Sequence, residues 1–253
     1  MEAQAIKQEV KNKWNEWAKD YDSGFGHNVR SEQEAVAWKN VLARAIGPAK
    51  KQRILDVGTG TGFLALFLAE MGHDCLGVDL TPKMLEQARE KAKARNLKAQ
   101  FLLGDAEALE VEDNNFDVVI NRLLLWTLPQ PEIALREWIR VLKPGGKIVI
   151  VDGVWRGITL GDKVKAFLGN LLILLQERRN PWSELYGKQV DEQLPFAAEG
   201  KPEAIMSLMK ELGLQNIRLL DMTEVMEAQN SITPLRYQLA FGRTRNMVIG
   251  EKL

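Results

Sequence analysis

The chain has 253 residues, 45% of them hydrophobic and 27% charged, enough for one large domain or a compact domain with a cap, and too apolar for intrinsic disorder. Lys plus Arg and Asp plus Glu each number 34, so the formal net charge is zero and no overall field gathers a phosphate backbone; nucleic acid is a poor partner. One cysteine, Cys75, and two histidines, His27 and His73, supply neither an internal disulfide nor a ligand set for a structural metal, and the chain reads as cytoplasmic.

The N-terminal MEAQAIKQEVKNKW is helical and charged throughout, without the apolar core of a signal peptide. Residues 5–46 read as two helices separated by the loop Asp20 to Asn28 (DYDSGFGHN), whose two glycines permit movement, so 1–46 is expected to be a lid. RILDV (53–57) ends in glycines and FLALFLAEM (63–71) is apolar around most of a helix, which predicts a strand, a tight turn and a buried helix. CLGVDL (75–80) is strand-like, PKMLEQAREKAKARN (82–96) is helical with Pro82 at its first turn, and AQFLLGD (99–105) is strand-like again. FDVVINR (116–122) and KIVIVDG (147–153) flank the helix PEIALREWIRVL (131–142), which Pro144-Gly145-Gly146 ends. Five strands separated by helices predict an α/β core at 47–153 built on a doubly wound parallel sheet.

Residues 154–200 break this rhythm and are expected to form a helical cap. Their most apolar run, AFLGNLLILL (166–175), is ten residues interrupted by Asn170, whereas a membrane span takes ~20; it predicts a buried or interfacial helix, either lining a pocket for a small, partly apolar molecule or forming a homodimer seam. In 201–253 a helix (202–212) and two strand-like runs (216–221 and 235–243) are expected to complete the sheet, the strands as a hairpin.

The sharpest motif is Asp56-Val57-Gly58-Thr59-Gly60-Thr61-Gly62, where a strand hands over to a helix. Glycines at 58, 60 and 62 remove Cβ atoms where backbone approaches a ligand, and the helix beyond presents free N–H groups. A dinucleotide fingerprint read from Gly58 would place Phe63 at its last small position, which weakens a nicotinamide reading. Asp79 ends the second strand, 17 positions after Gly62, where a carboxylate accepts from ribose hydroxyls; Asp105 ends the third, suited to an exocyclic adenine amine. A nucleoside across three strand ends is implied.

In order, ILDVGTGTG, GVDLTPKMLEQA, GDAEAL and FDVVINRLLLWTLPQPEIALREWIRVLKPGGKIVIVDG resemble the motifs of class I S-adenosylmethionine-dependent methyltransferases over roughly residues 50–153. The resemblance is closest to the small-molecule branch that includes ubiquinone/menaquinone biosynthesis methyltransferases, whose N-terminal helix and lid WNEWAKDYDS also resembles. It implies a seven-stranded, mostly parallel Rossmann-like sheet, S-adenosyl-L-methionine as cofactor and S-adenosyl-L-homocysteine as product. It sets Gly58, Thr59, Gly60 and Gly62 against the methionine part, Asp56 near its ammonium, and Asp79 on the ribose. It gives Leu80 and Ala106 the adenine faces and Asp105 the amine, with Met84 and Asn121 also at the cofactor. Asn121-Arg122-Leu123-Leu124 stands where adenine-in-DNA methylation would show Asn/Asp-Pro-Pro-Tyr/Phe, and the resemblance brings no acceptor with it.

His27, Tyr21 and Asp152 are the candidate bases if the acceptor must lose a proton, although His27 also reads as a surface imidazole. Arg122 is either a solvated loop residue or a planar fork for a carboxylate. Trp126 and Trp155 border the expected acceptor site and, with Trp182, read either as packing residues or as an aromatic cage. Two rival functions remain: a non-catalytic nucleoside-binding protein and a nicotinamide-dependent oxidoreductase.

Overall fold

The computed structural model describes residues 3–48, 51–154, 160–178, 180–182, 186–196, 202–241 and 244–253. Helices α1 (Ala3–Trp17) and α2 (Glu32–Ile46) flank a 3₁₀ turn, Ala18–Ser23. There follow β1 (Arg53–Val57), α3 (Phe63–Glu70), β2 (Asp74–Asp79), α4 (Pro82–Ala94), β3 (Ala99–Leu103), β4 (Phe116–Arg122), α5 (Pro131–Val141) and β5 (Leu142–Val154). The remaining elements are α6 (Leu160–Glu177), the short α7 (Lys188–Asp191), α8 (Pro202–Glu211), β6 (Gln215–Leu220), α9 (Thr223–Ile232), α10 (Leu235–Ala240) and β7 (Thr244–Glu251).

The strands form one seven-stranded sheet in the order β3-β2-β1-β4-β5-β7-β6. All neighbours are parallel except β7, which runs antiparallel to both β5 and β6. From β1 the chain steps outward to β2 and β3, then returns to β4 on the other side. The crevice at the carboxyl ends of β1 and β4 is therefore the switch point where α/β sheets place ligands.

Two apolar layers sandwich the sheet. Trp38, Val41 and Leu42 of α2, Leu64 and Leu68 of α3 and Leu85 of α4 cover one face; Leu135 and Trp138 of α5 and Ile205 and Met209 of α8 cover the other. α3 is buried from Phe63 to Leu68, as its continuous apolarity requires. Ser31 starts α2 by accepting the Glu34 N–H at 3.1 Å. The buried Glu34 carboxylate then takes the Gln229 amide at 2.6 Å and ties α2 to α9.

The C-terminal end departs from the expected hairpin. β6 and β7 do pair, but α9 and α10 lie between them, and 235–243 is largely the helix α10 rather than a strand. Leu-Arg-Tyr-Gln-Leu alternates like a half-exposed strand. The true strand, lodged between β5 and β6, is buried on both faces, so Met247-Val248-Ile249 reads as a continuous apolar run.

The segment expected to be a cap divides. Tyr186, Val190 and Leu194 around α7 pack on Ile6 and Val10 of α1, with Trp14 and Trp126 beside them. α6 lies instead against α10, where a Cβ at Gly169 would overlap the Ala240 backbone. Its Phe167, Leu168 and Leu175 are exposed and are not among the residues lining the cleft described below.

Candidate functional site

The glycine turn is held by the strand beside it: the N–H groups of Gly58 and Thr59 both donate to the Val78 carbonyl, at 2.8 and 3.0 Å. The Gly60 N–H donates to the Asp79 carboxylate at 2.8 Å, and the Thr81 N–H donates to its other oxygen at the same distance. Gly60 has φ of 54° with open space where a Cβ would stand, so its backbone faces a cleft of about 780 Å³, part of it open to solvent. Burial raises the Asp79 carboxyl above its ordinary pKa, and the two N–H donors oppose that rise.

Gly58 and Gly60 form one wall with Val78, Asp79, Leu80 and Met84, and Gly104, Asp105 and Ala106 form another. Leu124, Leu128 and Pro129 line a third side, and Val10, Trp14 and Tyr21 cover it from the N-terminal segment. Apolar side chains thus bracket two carboxylates, a lining suited to a flat heteroaromatic ring with polar edges.

Asp56, Thr59 and Gly62 stand behind this wall rather than in it. The Asp56 carboxylate, 2% exposed, accepts from the Thr59 hydroxyl at 2.7 Å and from the Ala65 N–H at 3.0 Å, inside the first turn of α3. Its charge is committed to the helix N-terminus and does not reach the cleft. Burial pushes its pKa up to about 7 against those two bonds. A Cβ on Gly62 would meet Ala88 at 3.1 Å, so this glycine lets α3 pack on α4. Asn121, fully buried, lies outside the lining as well.

The lid supplies residues that local sequence patterns did not flag. Lys7 of α1 places its ammonium 2.6 Å from both Asp105 and Glu107. Burial would lower its pKa, but the hydrogen bonds to both carboxylates raise it. Asp22 of the 3₁₀ turn accepts from the Thr61 hydroxyl at 2.7 Å and pairs with Lys91, while Gln87 donates to the Ala18 carbonyl at 2.6 Å. Nothing in the amphipathic pattern of α1 announces these partners, which lie far along the chain.

Arg122 is a buried fork. Nη1 donates to the Gly26 carbonyl at 2.9 Å, Nη2 to the His27 carbonyl at 3.3 Å, and the guanidinium stacks 3.8 Å over the Phe63 ring. Arg245 donates to the same Gly26 carbonyl at 2.9 Å. Two guanidinium groups thus clasp the loop at Gly26.

Of the three candidate bases, Tyr21 lines the cleft, but burial raises its hydroxyl pKa further from neutrality. His27 stacks on Tyr21 with ring centres 4.3 Å apart and bonds the Tyr21 carbonyl through Nδ1 at 2.9 Å; it is outside the cleft lining. Asp152, 1% exposed and likewise outside the cleft lining, accepts the Gly153 N–H at 2.7 Å through Oδ1, and its Oδ2 has no partner among the described residues. Burial pushes Asp152 up to about 7. Asn121 pairs in register with Ile150, so its side chain and that of Asp152 project from the same face of neighbouring strands, and both its amide atoms are also unpartnered. Trp126 packs edge-on against Trp14 at 6.1 Å, and Trp155 lies outside the described residues. Among the described residues no group of three or more His, Cys, Asp or Glu side chains could hold a metal ion, and no helix is long and apolar enough to cross a membrane.

Residues 55–150 match the family described as a methyltransferase domain. A demethylmenaquinone methyltransferase of Thermus thermophilus is 42% identical over 130 residues, 51% of this chain and 56% of that protein. A ubiquinone/menaquinone biosynthesis C-methyltransferase UbiE of a Ruegeria species is 36% identical over 147 residues, 56% of this chain and 58% of that protein. The match thus spans little more than half the length of these relatives. A Haemonchus contortus phosphoethanolamine N-methyltransferase 2, solved with phosphomonomethylethanolamine and S-adenosylhomocysteine, superposes with a TM-score of 0.65 at 22% identity, covering 98% of this chain and 60% of that one.

Proposed function

We propose that the chain transfers a methyl group from S-adenosyl-L-methionine to a small, partly apolar acceptor, a reading supported by the match of residues 55–150 to a methyltransferase domain. The observation that carries this reading is the bond from the Gly60 N–H to Asp79 at 2.8 Å, which joins the glycine turn and the second strand's carboxylate in one wall. The donor set fits the cofactor. Gly60 would leave room for its methionine part while Gly58 admits the Leu124 side chain to the wall, Asp79 would accept from the ribose hydroxyls, and Leu80, Met84 and Ala106 would hold the adenine faces. Asp105 is the acceptor for the adenine amine.

When bound, the cofactor supplies a sulfonium methyl that an acceptor nucleophile attacks in line, with loss of the positive charge. The chain's own contribution is position and dryness. α1, Trp14 and Tyr21 close the cleft against water, and the Arg122 and Arg245 clasp on Gly26 keeps the lid loop seated. Asp152 and Asn121 are buried outside the cleft lining, so neither is given a role toward the acceptor. The quinone-type names of the curated relatives support an apolar acceptor, as do the leucines on the third side of the cleft.

The test is calorimetric titration with S-adenosyl-L-methionine, followed by measurement of S-adenosyl-L-homocysteine released over a panel of apolar phenol, quinol and amine acceptors. Binding with turnover on a panel member is expected. Failure to bind overturns the cofactor site, and binding without turnover on any acceptor leaves a nucleoside-binding protein.

A further inference from the structure

α6 exposes a continuous apolar stripe that no described part of the chain covers. Leu160 is 80% exposed, Leu175 67% and Phe167 57%, with Val164 and Leu168 between them. At 100° per residue these positions fall on one side of the helix.

The orientation is fixed from the other side. Gly169 permits close approach to the backbone of α10, Ile173 is fully buried, and Glu177 accepts from the Tyr237 hydroxyl at 2.6 Å and from Arg236 at 2.8 Å. The stripe is thus held outward by an anchored inner face.

Charge separates the occupants. Among the described residues of 160–182 the exposed charged side chains are Lys163, Lys165 and Arg178, all cations, while the half-buried acids Asp162 and Glu177 fall on the α10 side of the helix. Lys163 and Lys165 project on opposite flanks of the stripe. Trp182 stands beside Phe167, ring centres 6.2 Å apart, an amphipathic ring at the edge of the apolar zone. A two-fold pair of α6 helices would set Lys163 and Lys165 against Arg178 of the second copy, with no exposed acid on this segment to offset them. An anionic surface with an apolar interior matches both features.

We propose that α6 lies in the surface of an anionic lipid bilayer, apolar stripe down, and that the acceptor is drawn from that bilayer. The source of the acceptor rests on the methyl-transfer reading above; the docking itself does not. Leu160 is six residues past the end of β5, so α6 starts within ~20 Å of the sheet edge at which the cleft opens.

The experiment is co-sedimentation of the full chain with vesicles of phosphatidylcholine alone and of equal parts phosphatidylcholine and phosphatidylglycerol. It is paired with size-exclusion chromatography and calorimetric titration of S-adenosyl-L-methionine. The wild type should sediment with the anionic vesicles at least tenfold more than with the neutral ones, and less at high salt. The double variant Phe167→Glu with Leu175→Glu, both positions exposed, should stay in the supernatant while binding the cofactor as the wild type does. Vesicle binding by a wild type that does not bind the cofactor would uphold the docking and overturn only the functional reading. No vesicle binding overturns the docking; if the wild type is then a dimer that the variant splits, the stripe is a seam between copies.

Discussion

The Lys7 ammonium and the Asp105 carboxylate lie 98 positions apart in sequence and 2.6 Å apart in space. Under the proposed cofactor placement, the Lys7 ammonium and the adenine amine draw on the same Asp105 carboxylate. Lys7→Met should tighten S-adenosyl-L-methionine binding by ~1 kcal/mol, the net worth of an ordinary hydrogen bond, and speed hydrogen exchange along α1. Calorimetry and exchange mass spectrometry check both; weaker binding would make Lys7 part of the site instead.

Asp79→Ala removes an acceptor that also orders the glycine turn through the Gly60 N–H. Cofactor affinity should fall by ~1.5–3 kcal/mol, the range for hydrogen bonds to charged groups. Unchanged affinity in a variant with native circular dichroism would remove Asp79 from the site.

At Gly60 an added Cβ meets no atom within 4 Å, so Gly60→Val should fold, with a loss of ~1–2 kcal/mol for a branched side chain at φ of 54°. Its side chain should fill the space taken by the cofactor and abolish binding. A thermal melt and a titration separate the two effects.

Asp152 links stability to pH. Its folded pKa, about 7, exceeds the unfolded value of 3.8, so its stabilising contribution is complete below the unfolded pKa and is lost as pH rises to about 7. Asp152→Asn should therefore gain stability relative to the wild type as pH rises from about 4 to about 7, by on the order of 1 kcal/mol per pH unit, and hold that gain at higher pH.

Arg122→Lys replaces a fork by a point donor, so the bonds to the Gly26 and His27 carbonyls cannot both be kept. Hydrogen exchange over residues 20–28 should accelerate several-fold while the amides of β1 and β4 stay protected. Equal exchange in the loop would show that Arg245 alone seats it.

What the sequence by itself determined is the part in which cause and effect lie within a few residues. RILDV followed by alternate glycines favours strand, turn and helix, because glycine takes the positive φ values at 58, 60 and 62 without the cost a Cβ brings. Asp79 and Asp105 are legible for the same reason: each closes an apolar run, so each stands at the carboxyl end of a parallel strand, at the ligand edge.

Tertiary structure decided which way each group faces. Asp56 sits beside the glycines, yet its carboxylate turns into α3, since an unsatisfied helix N-terminus nearby accepts it better than the cleft does. β7 was hidden because burial on both faces erases the alternation that marks a strand, and α10 carried a strand-like alternation although it folds as a helix. The outward stripe of α6 and the meeting of Lys7 with Asp105 follow from how distant elements dock. Apolarity and charge are properties of a residue, whereas exposure and partnership are properties of the packed whole.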